Sequence, residues 1–265
     1  MSNNQIHSTA VIESGAELEG VSVGPYCVIK RGARIAAGTQ LLSHIYIDGD
    51  THIGRDNMIY PFTSIGAPPQ DLKYRGELSR VRIGDNNQIR ESVTIHRGTQ
   101  GGIMETRIGN HCLLMANAHI AHDCVLEDHV IITNCASLGG HVLVQKFAIL
   151  GGLAGVRQFC KIGTRAFLTA GAMVTLDVPP FCIADGADGP RAGLVGLNIE
   201  GLKRAQYSDE RISQLKKAYR EFFLPGRTRE EALAIVSQNA TPDVLVFIDF
   251  IKQSERGILR PRPKN

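Results

Sequence analysis

The residues best suited to chemistry lie close together in the chain. His119 and His122 fall three positions apart in the stretch Asn117-Ala118-His119-Ile120-Ala121-His122-Asp123-Cys124, while Gly140-His141 and Gln158 follow further on. A histidine titrates near neutral pH, so it is the natural general base for taking a proton from an alcohol or a water. A glycine beside it allows close approach of a substrate and offers an unhindered backbone N–H to a developing oxyanion. Asp123 is adjacent to His122 and is a candidate to orient its ring, although neighbours on a strand normally point apart. Two other readings stand beside this one. Three histidines can hold zinc across a subunit boundary, and polar residues can simply be the exposed turns of a scaffold.

Whether these side chains meet depends on the elements that carry them. An aliphatic residue opens every block of six along Ile108, Leu114, Ile120, Leu126, Ile132, Leu138, Val144, Leu150, Val156, Ile162, Leu168 and Val174. Four places after each opener sits a small or β-branched residue, from Cys112 and Ala118 to Ala172 and Val178. The same pattern begins at Ile6, slips by one after Leu18, and runs from Val23 to Ile65. It breaks over 66–80, resumes at Ile83, and breaks again in a Gly-rich stretch at 100–107. A period of six is neither that of an α-helix nor that of an ordinary strand. It is the period of hexapeptide β-helix repeats, in which three hexads make a coil of about 18 residues. Residues one coil apart then stack. His122, Gly140 and Gln158 form a column with His141 beside it, and His119, Asp123 and this column share one polar surface.

The fold class that follows is a β-solenoid, a parallel β-helix over residues 1–185 with a protruding loop at 66–80. A loop is expected at 186–197 and a helical domain at 198–265. Ser208 can cap a helix running to about Phe223, with Ile212, Leu215, Ala218, Tyr219 and Phe222 on one face. Thr228 and Glu231 form a capping box for a second helix, and Thr241-Pro242 opens a third with Leu245, Phe247, Ile248 and Ile251 as its apolar face. Such a domain can cover the open end of the solenoid or pack on a neighbouring subunit.

Composition narrows the function. With 43% hydrophobic and 21% charged residues, the chain reads as globular rather than disordered, and no Trp with only 6% aromatics suits narrow repeated layers. The net charge of +3 is too small for a nucleic-acid argument. Its basic excess lies in 200–265, where it suits an acidic partner or phosphates. The six cysteines show no metal-finger spacing, and Cys27, Cys112, Cys124 and Cys160 take the small inward position, as reduced core residues do. A polar N-terminus without an apolar leader, and the lack of a long apolar run, make the cytoplasm the expected location and a membrane span unexpected.

Several strings carry a resemblance: Gln70-Asp-Leu-Lys73, Ile89-Arg-Glu-Ser-Val-Thr-Ile-His-Arg-Gly98, Asn117-Ala-His-Ile-Ala-His-Asp-Cys124, Gly151-Gly152, Gln158-Phe-Cys160, Asp177-Val-Pro-Pro180 and Asn198-Ile-Glu-Gly-Leu-Lys-Arg204. Together they resemble the UDP-N-acetylglucosamine acyltransferases of lipid A synthesis, over nearly the whole chain. The resemblance implies a left-handed β-helix and a homotrimer with active sites between subunits. It implies transfer of an R-3-hydroxyacyl chain from acyl carrier protein to the 3-hydroxyl of UDP-N-acetylglucosamine, with no metal and no cofactor beyond the carrier's phosphopantetheine.

By matching motif, His122 is the general base and the Gly140 N–H the oxyanion donor. Gln70, Asp71, Lys73 and His119 contact the sugar nucleotide, and His141 and Gln158 line the acyl and pantetheine path. Asn198, Glu200 and Arg204 meet the nucleotide or its phosphates. No covalent enzyme intermediate is implied, because the thioester is already activated. The alternatives from other classes are a β-helical carbonic anhydrase-like zinc hydratase, which needs neither the helical tail nor the loop, and a non-catalytic trimeric scaffold. The N-acyltransferase of the same pathway carries an extra globular region ahead of its β-helix, for which a repeat beginning at Ile6 leaves no room.

Arg157, Ala205 and a longer 186–196 loop depart from the family pattern and bear on the phosphate and pantetheine contacts. Ala170 falls where the acyl groove ends, and its methyl in place of a hydrogen should shorten the preferred chain slightly. Turnover with donors of graded length, in wild type and Ala170→Gly, tests this. The variant should shift toward longer donors, and identical preferences would reject a role for Ala170.

Overall fold

A computed structural model describes residues 3–186 and 192–262 of the chain. Its architecture follows from the hexad. Each block supplies a strand of two residues, one pointing out and one pointing in, before the chain turns a corner. The strands stack as three sheets. The first runs from Gln5–Ile6 up to Phe167–Leu168 and continues into Cys182–Asp185; the second from Val11–Ile12 to Met173–Val174; the third from Glu17–Leu18 to Lys161–Ile162. Within the coils all pairings are parallel, and Ile120, Leu138, Val156 and Val174 follow one another in register. The result is a left-handed parallel β-helix.

The inward rows are those the six-residue period marks. From Ile108 to Val174 every opener is buried, and so is every residue four places later. Cys27, Cys112, Cys124 and Cys160 sit among them as free thiols. Burial pushes the Cys124 thiol up to about 12, so it stays a neutral core atom. Ile6, at the end coil with no layer beyond it, is 46% exposed.

Each corner turns through a residue with positive φ, and these form three ladders. In two of them glycine takes the position early (Gly15 and Gly32, Gly20 and Gly38) and later rungs are bulky, while the third already has Tyr26, His44 and Phe62. Asp123, His141 and Phe159 form one ladder, and His111, His129, Phe147 and Arg165 another. Such a backbone costs an L-residue roughly 1–2 kcal/mol. Here it is held by a bond to the coil below and by ring stacking. His141 N–H donates to His122 O at 3.0 Å and Phe159 N–H to Gly140 O at 3.0 Å, while the His141 and Phe159 rings stack at 4.3 Å.

Two excursions leave the corner between the second and third sheets. One separates Ser64–Ala67 from Arg80–Ile83, the other Thr94–His96 from Glu105–Ile108. The loop expected at 186–197 differs in part. Gly193–Leu197 is a strand paired antiparallel with Cys182–Asp185, because Leu194 has an apolar pocket to fill and is buried despite its glycine neighbours. Residues 187–191 of the expected loop lie outside the described residues.

Four helices follow: α1 (Ile199–Arg204), α2 (Asp209–Phe222), α3 (Arg229–Ser237) and α4 (Pro242–Lys252). Asn198 caps α1 through Gly201 N–H, Ser208 caps α2, and Thr228 with Glu231 closes a capping box on α3. On α4 the expected inward residue Leu245 is 46% exposed, and Val244 is buried in its place with Phe247, Ile248 and Ile251. The helical domain is tied to the last coils through buried Asp177, which accepts from Ser254 Oγ at 2.7 Å and Lys161 N–H at 2.7 Å. No helix of the described residues is long and apolar enough to cross a membrane.

Candidate active site

The corner between the second and third sheets gathers the polar residues. The strand His119–Ile120 ends there, Ala121 turns inward, and Asp123 takes φ 59°. That left-handed turn removes the strand alternation that would have separated His122 from Asp123. Their side chains meet, with His122 Nδ1 2.8 Å from Asp123 Oδ2. An ionised carboxylate only accepts, so Nδ1 carries the proton and Nε2 presents its lone pair outward. Asp123 is 4% exposed. Burial raises its carboxyl, but hydrogen bonds from His122 and from the Thr99 side chain and backbone outweigh this and hold it below the usual carboxylate range.

The next coil places Gly140 against the His122 ring. A Cβ at Gly140 would lie 2.5 Å from His122 Cε1 and 2.6 Å from Nε2. A side chain there would displace the His122 ring. The Gly140 N–H donates no hydrogen bond among the described residues, so it remains available to an incoming oxygen.

His141 packs edge-on to His122 at 4.9 Å and stacks on Phe159. Burial pulls its imidazole down, partly offset by Asp123. His119 accepts from or donates to Thr94 Oγ at 2.7 Å and meets His96 edge-on at 5.0 Å. Burial lowers His119, and it pulls His96 down to about 4 with help from the neighbouring His119 and His122. Both are therefore neutral at pH 7.

An open cleft on the second sheet is lined by Gln70, His96, His119, His122, Gly140 and Gln158, with Arg157 at its edge. The structure thus brings together Gln70, His119, His122, Asp123, Gly140, His141 and Gln158. Asp71 reaches the same corner, where its charge acts on His141 and its carboxylate holds the Lys73 N–H at 2.9 Å. Lys73 itself is exposed on the loop.

Four expected residues are not gathered here. Asn198, Glu200 and Arg204 stand on or before α1, and Asn198 is attached to a different corner through Arg165 O at 3.2 Å. Ala170 is exposed on the corner between the first and second sheets, outside the set lining the cleft. Ala205 closes α1 by donating to Gly201 O.

Three residues at the site escape a count by 18: His96, Thr99 and Thr106. They lie around the 97–104 excursion, which puts 25 residues between paired Thr94 and His119. The Gly-rich break at 100–107 was the available signal.

Ligand atoms of His122, Asp123 and His141 lie within 4.8 Å of one another. Asp123 Oδ2, however, already accepts from His122 Nδ1 at 2.8 Å and Thr99 Oγ at 2.6 Å. A metal would have to displace both, so this donor set is that of a hydrogen-bonded His–Asp pair. A second concavity on the third sheet holds ion-paired arginines, Arg82 to Glu105 at 2.8 Å and Arg34 to Glu17 at 3.2 Å.

The chain matches the family described as Udp N-acetylglucosamine O-acyltransferase, domain 2, over residues 177–259, and the bacterial transferase hexapeptide repeats over 105–140. The acyl-[acyl-carrier-protein]--UDP-N-acetylglucosamine O-acyltransferase of Thermodesulfovibrio yellowstonii is 46% identical over 97% of this chain and 100% of its own length. The chain belongs to the UDP-N-acetylglucosamine O-acyltransferase family. Its fold superposes on that of the UDP-N-acetylglucosamine O-acyltransferase of Moraxella catarrhalis with a TM-score of 0.92 at 42% identity, covering 96% of this chain and 99% of that one. The Arabidopsis UDP-N-acetylglucosamine acyltransferase gives 0.83 at 33% identity, covering 96% and 100%.

The acidic titration of this acyltransferase follows from its buried histidines. An unfolded chain protonates its histidines near pH 6.5, whereas folded His96 does so only near pH 4. Its contribution is fully present above about pH 6.5 and is lost as pH falls through 4. Urea unfolding at stepped pH should show stability falling across this window, less steeply in His96→Gln. Equal slopes would show that His96 is not held neutral.

Proposed function

We propose that this enzyme transfers an R-3-hydroxyacyl chain from the phosphopantetheine thioester of acyl carrier protein to the 3-hydroxyl of UDP-N-acetylglucosamine, the first acylation of lipid A synthesis. The observation that carries the mechanism is the His122–Gly140 contact. A base with its Nδ1 committed to Asp123 presents Nε2 beside a glycine whose N–H is free. His122 Nε2 takes the acceptor's hydroxyl proton as its oxygen attacks the thioester carbonyl. The carbonyl electrons move onto oxygen, where the Gly140 N–H receives the charge. The intermediate then collapses, the C–S bond breaks, and the departing thiolate takes the proton back from His122. Both substrates are held, so the step gains from proximity and needs no covalent enzyme intermediate.

Gln70, Asp71, Lys73 and His119 are proposed to hold the sugar nucleotide, and His141 and Gln158 to line the donor arm. Asn198, Glu200 and Arg204 hang from another corner of the same prism. Their proposed role at the nucleotide is filled by a neighbouring copy in a homotrimer. The basic tail is proposed to receive the acidic carrier protein. A cytoplasmic location fits six free cysteines. The reaction requires no resident metal or cofactor.

Acyl transfer to UDP-N-acetylglucosamine should fall in His122→Ala by roughly 10²–10⁴-fold, the range of general-base catalysis, with the fold retained. An active His122→Ala enzyme would remove the assignment of the base. Co-expression of His122→Ala with Arg204→Ala chains tests the shared site. Mixed assemblies should recover activity that neither variant has alone, whereas no recovery would place the whole site within one chain.

A further inference from the structure

The second excursion, 97–104, closes over Asp123. Thr99 N–H donates to Asp123 Oδ1 at 3.2 Å and Oδ2 at 3.0 Å, and Thr99 Oγ donates to Oδ2 at 2.6 Å. Thr106 Oγ accepts from Asp123 N–H at 2.9 Å and so fixes the backbone on the other side. Thr99 is 3% exposed and Thr106 0%.

The glycines of the excursion explain how the loop comes so near. A Cβ at Gly102 would fall inside the Asp123 carboxylate, and one at Gly98 would lie 2.9 Å from its Oδ1. The Gly102 N–H donates to Thr99 O at 3.1 Å, which closes the turn that aims Thr99. The loop therefore grips a single carboxylate, and that carboxylate faces His122 on one side and His141 Nδ1, 3.9 Å away, on the other.

We propose that Thr99 is the positioning residue of the catalytic pair: its hydroxyl and N–H lock Asp123 in the rotamer that aims Oδ2 at His122 Nδ1, and so fix the direction of the His122 Nε2 lone pair. This rests on His122 being the general base. An unlocked carboxylate can swing about its χ angles, and the imidazole it orients follows. A misplacement of about 1 Å at a reacting atom can cost on the order of a hundredfold in rate. The hydroxyl also shares the carboxylate charge. Without it, more of that charge falls to the hydrogen bond between Asp123 Oδ2 and the His122 Nδ1–H. The other titratable groups in reach are His141, which touches both members of the pair, and His96, His119 and Asp71, which interact with the histidines.

Thr99→Val keeps the shape and removes the donor. It should lower kcat at least about tenfold, a part of the penalty for misplacement. KM for UDP-N-acetylglucosamine should hold, and the acidic limb of the pH–rate profile should move to higher pH. Thr99→Ser should restore both readouts. Gly102→Ala, which pushes into the carboxylate, should lower kcat although the Thr99 donor is still present. Wild-type kcat and pH profile in Thr99→Val would overturn the proposal. So would a fall in kcat with an unmoved limb that Thr99→Ser does not rescue, since that marks packing alone. An NMR titration of the His122 ring in the intact protein keeps the test separate from the reaction. If the wild type proves inactive on this acceptor, an upward shift of the ring's titration in Thr99→Val still supports the lock, and an unchanged one rejects it. Should Thr99→Val fail to fold, Thr99→Ser and Gly102→Ala carry the same comparison.

Discussion

The backbone bonds from each coil to the next are the interaction on which the rest depends. A two-residue strand is far too short to be stable alone. Here every strand between the end coils is bonded above and below, so its stability comes from the stack, as in other solenoids. The same bonds fix the lateral position of each residue relative to its neighbour one coil away. His141 N–H to His122 O and Phe159 N–H to Gly140 O, both 3.0 Å, are ordinary scaffold bonds. They are also what sets Gly140 against the His122 ring and His141 beside Asp123. Scaffold register and site geometry are therefore one constraint. A slip by one residue would turn the inward row outward and destroy both.

What could be read in advance follows from how local each rule is. The period of six marks the buried rows, and stacking by one coil brings His122, Gly140 and Gln158 together, because both depend on spacing alone. The capping residues Ser208 and Thr228 are legible for the same reason. Spacing fails where the chain leaves the coil. Thr99 reaches Asp123 across a separation of 24 residues rather than 18, and nothing local signals how many residues an excursion consumes before it returns. The His122–Asp123 contact is hidden for another reason. The pair reads as neighbours on a strand, and only the left-handed turn at Asp123 folds them together. The strand at Gly193–Leu197 is hidden by its glycines, which suggest a loop until Leu194 has a buried place to go.

On the proposed reading, the electrostatics of the corner favour one working base over a cluster of equals. His96, His119 and His141 are each pulled down by burial, so none brings a competing charge near neutral pH. The one fixed charge in their midst is Asp123, and its closest imidazole partner is His122 at 2.8 Å, with His141 at 3.9 Å. A carboxylate in so dry a position would ordinarily take up a proton. Hydrogen bonds from His122 and from Thr99 of the 97–104 excursion keep it anionic, and on the proposed reading an anion is what the imidazolium of His122 needs beside it during proton transfer. Burial that would be a liability for a lone carboxylate becomes an asset once the chain supplies N–H and O–H groups at the right distance.

A flat sheet face has limits as an active-site wall. The cleft formed by Gln70, His119, His122 and Gln158 is open to one side, and an alkoxide attacking a thioester gains from exclusion of water. Among the described residues only Gln70, from the excursion between Ser64–Ala67 and Arg80–Ile83, joins the coil residues in lining the cleft. The chain's remaining nucleotide-binding candidates, Asn198, Glu200 and Arg204, stand on or before α1, with Asn198 bonded to another corner, and are not among the residues lining this cleft. On the proposed reading these two facts explain each other. A copy that presents its α1 corner to its neighbour's cleft supplies both the missing wall and the missing ligands, and repetition of that contact around a threefold axis closes the ring.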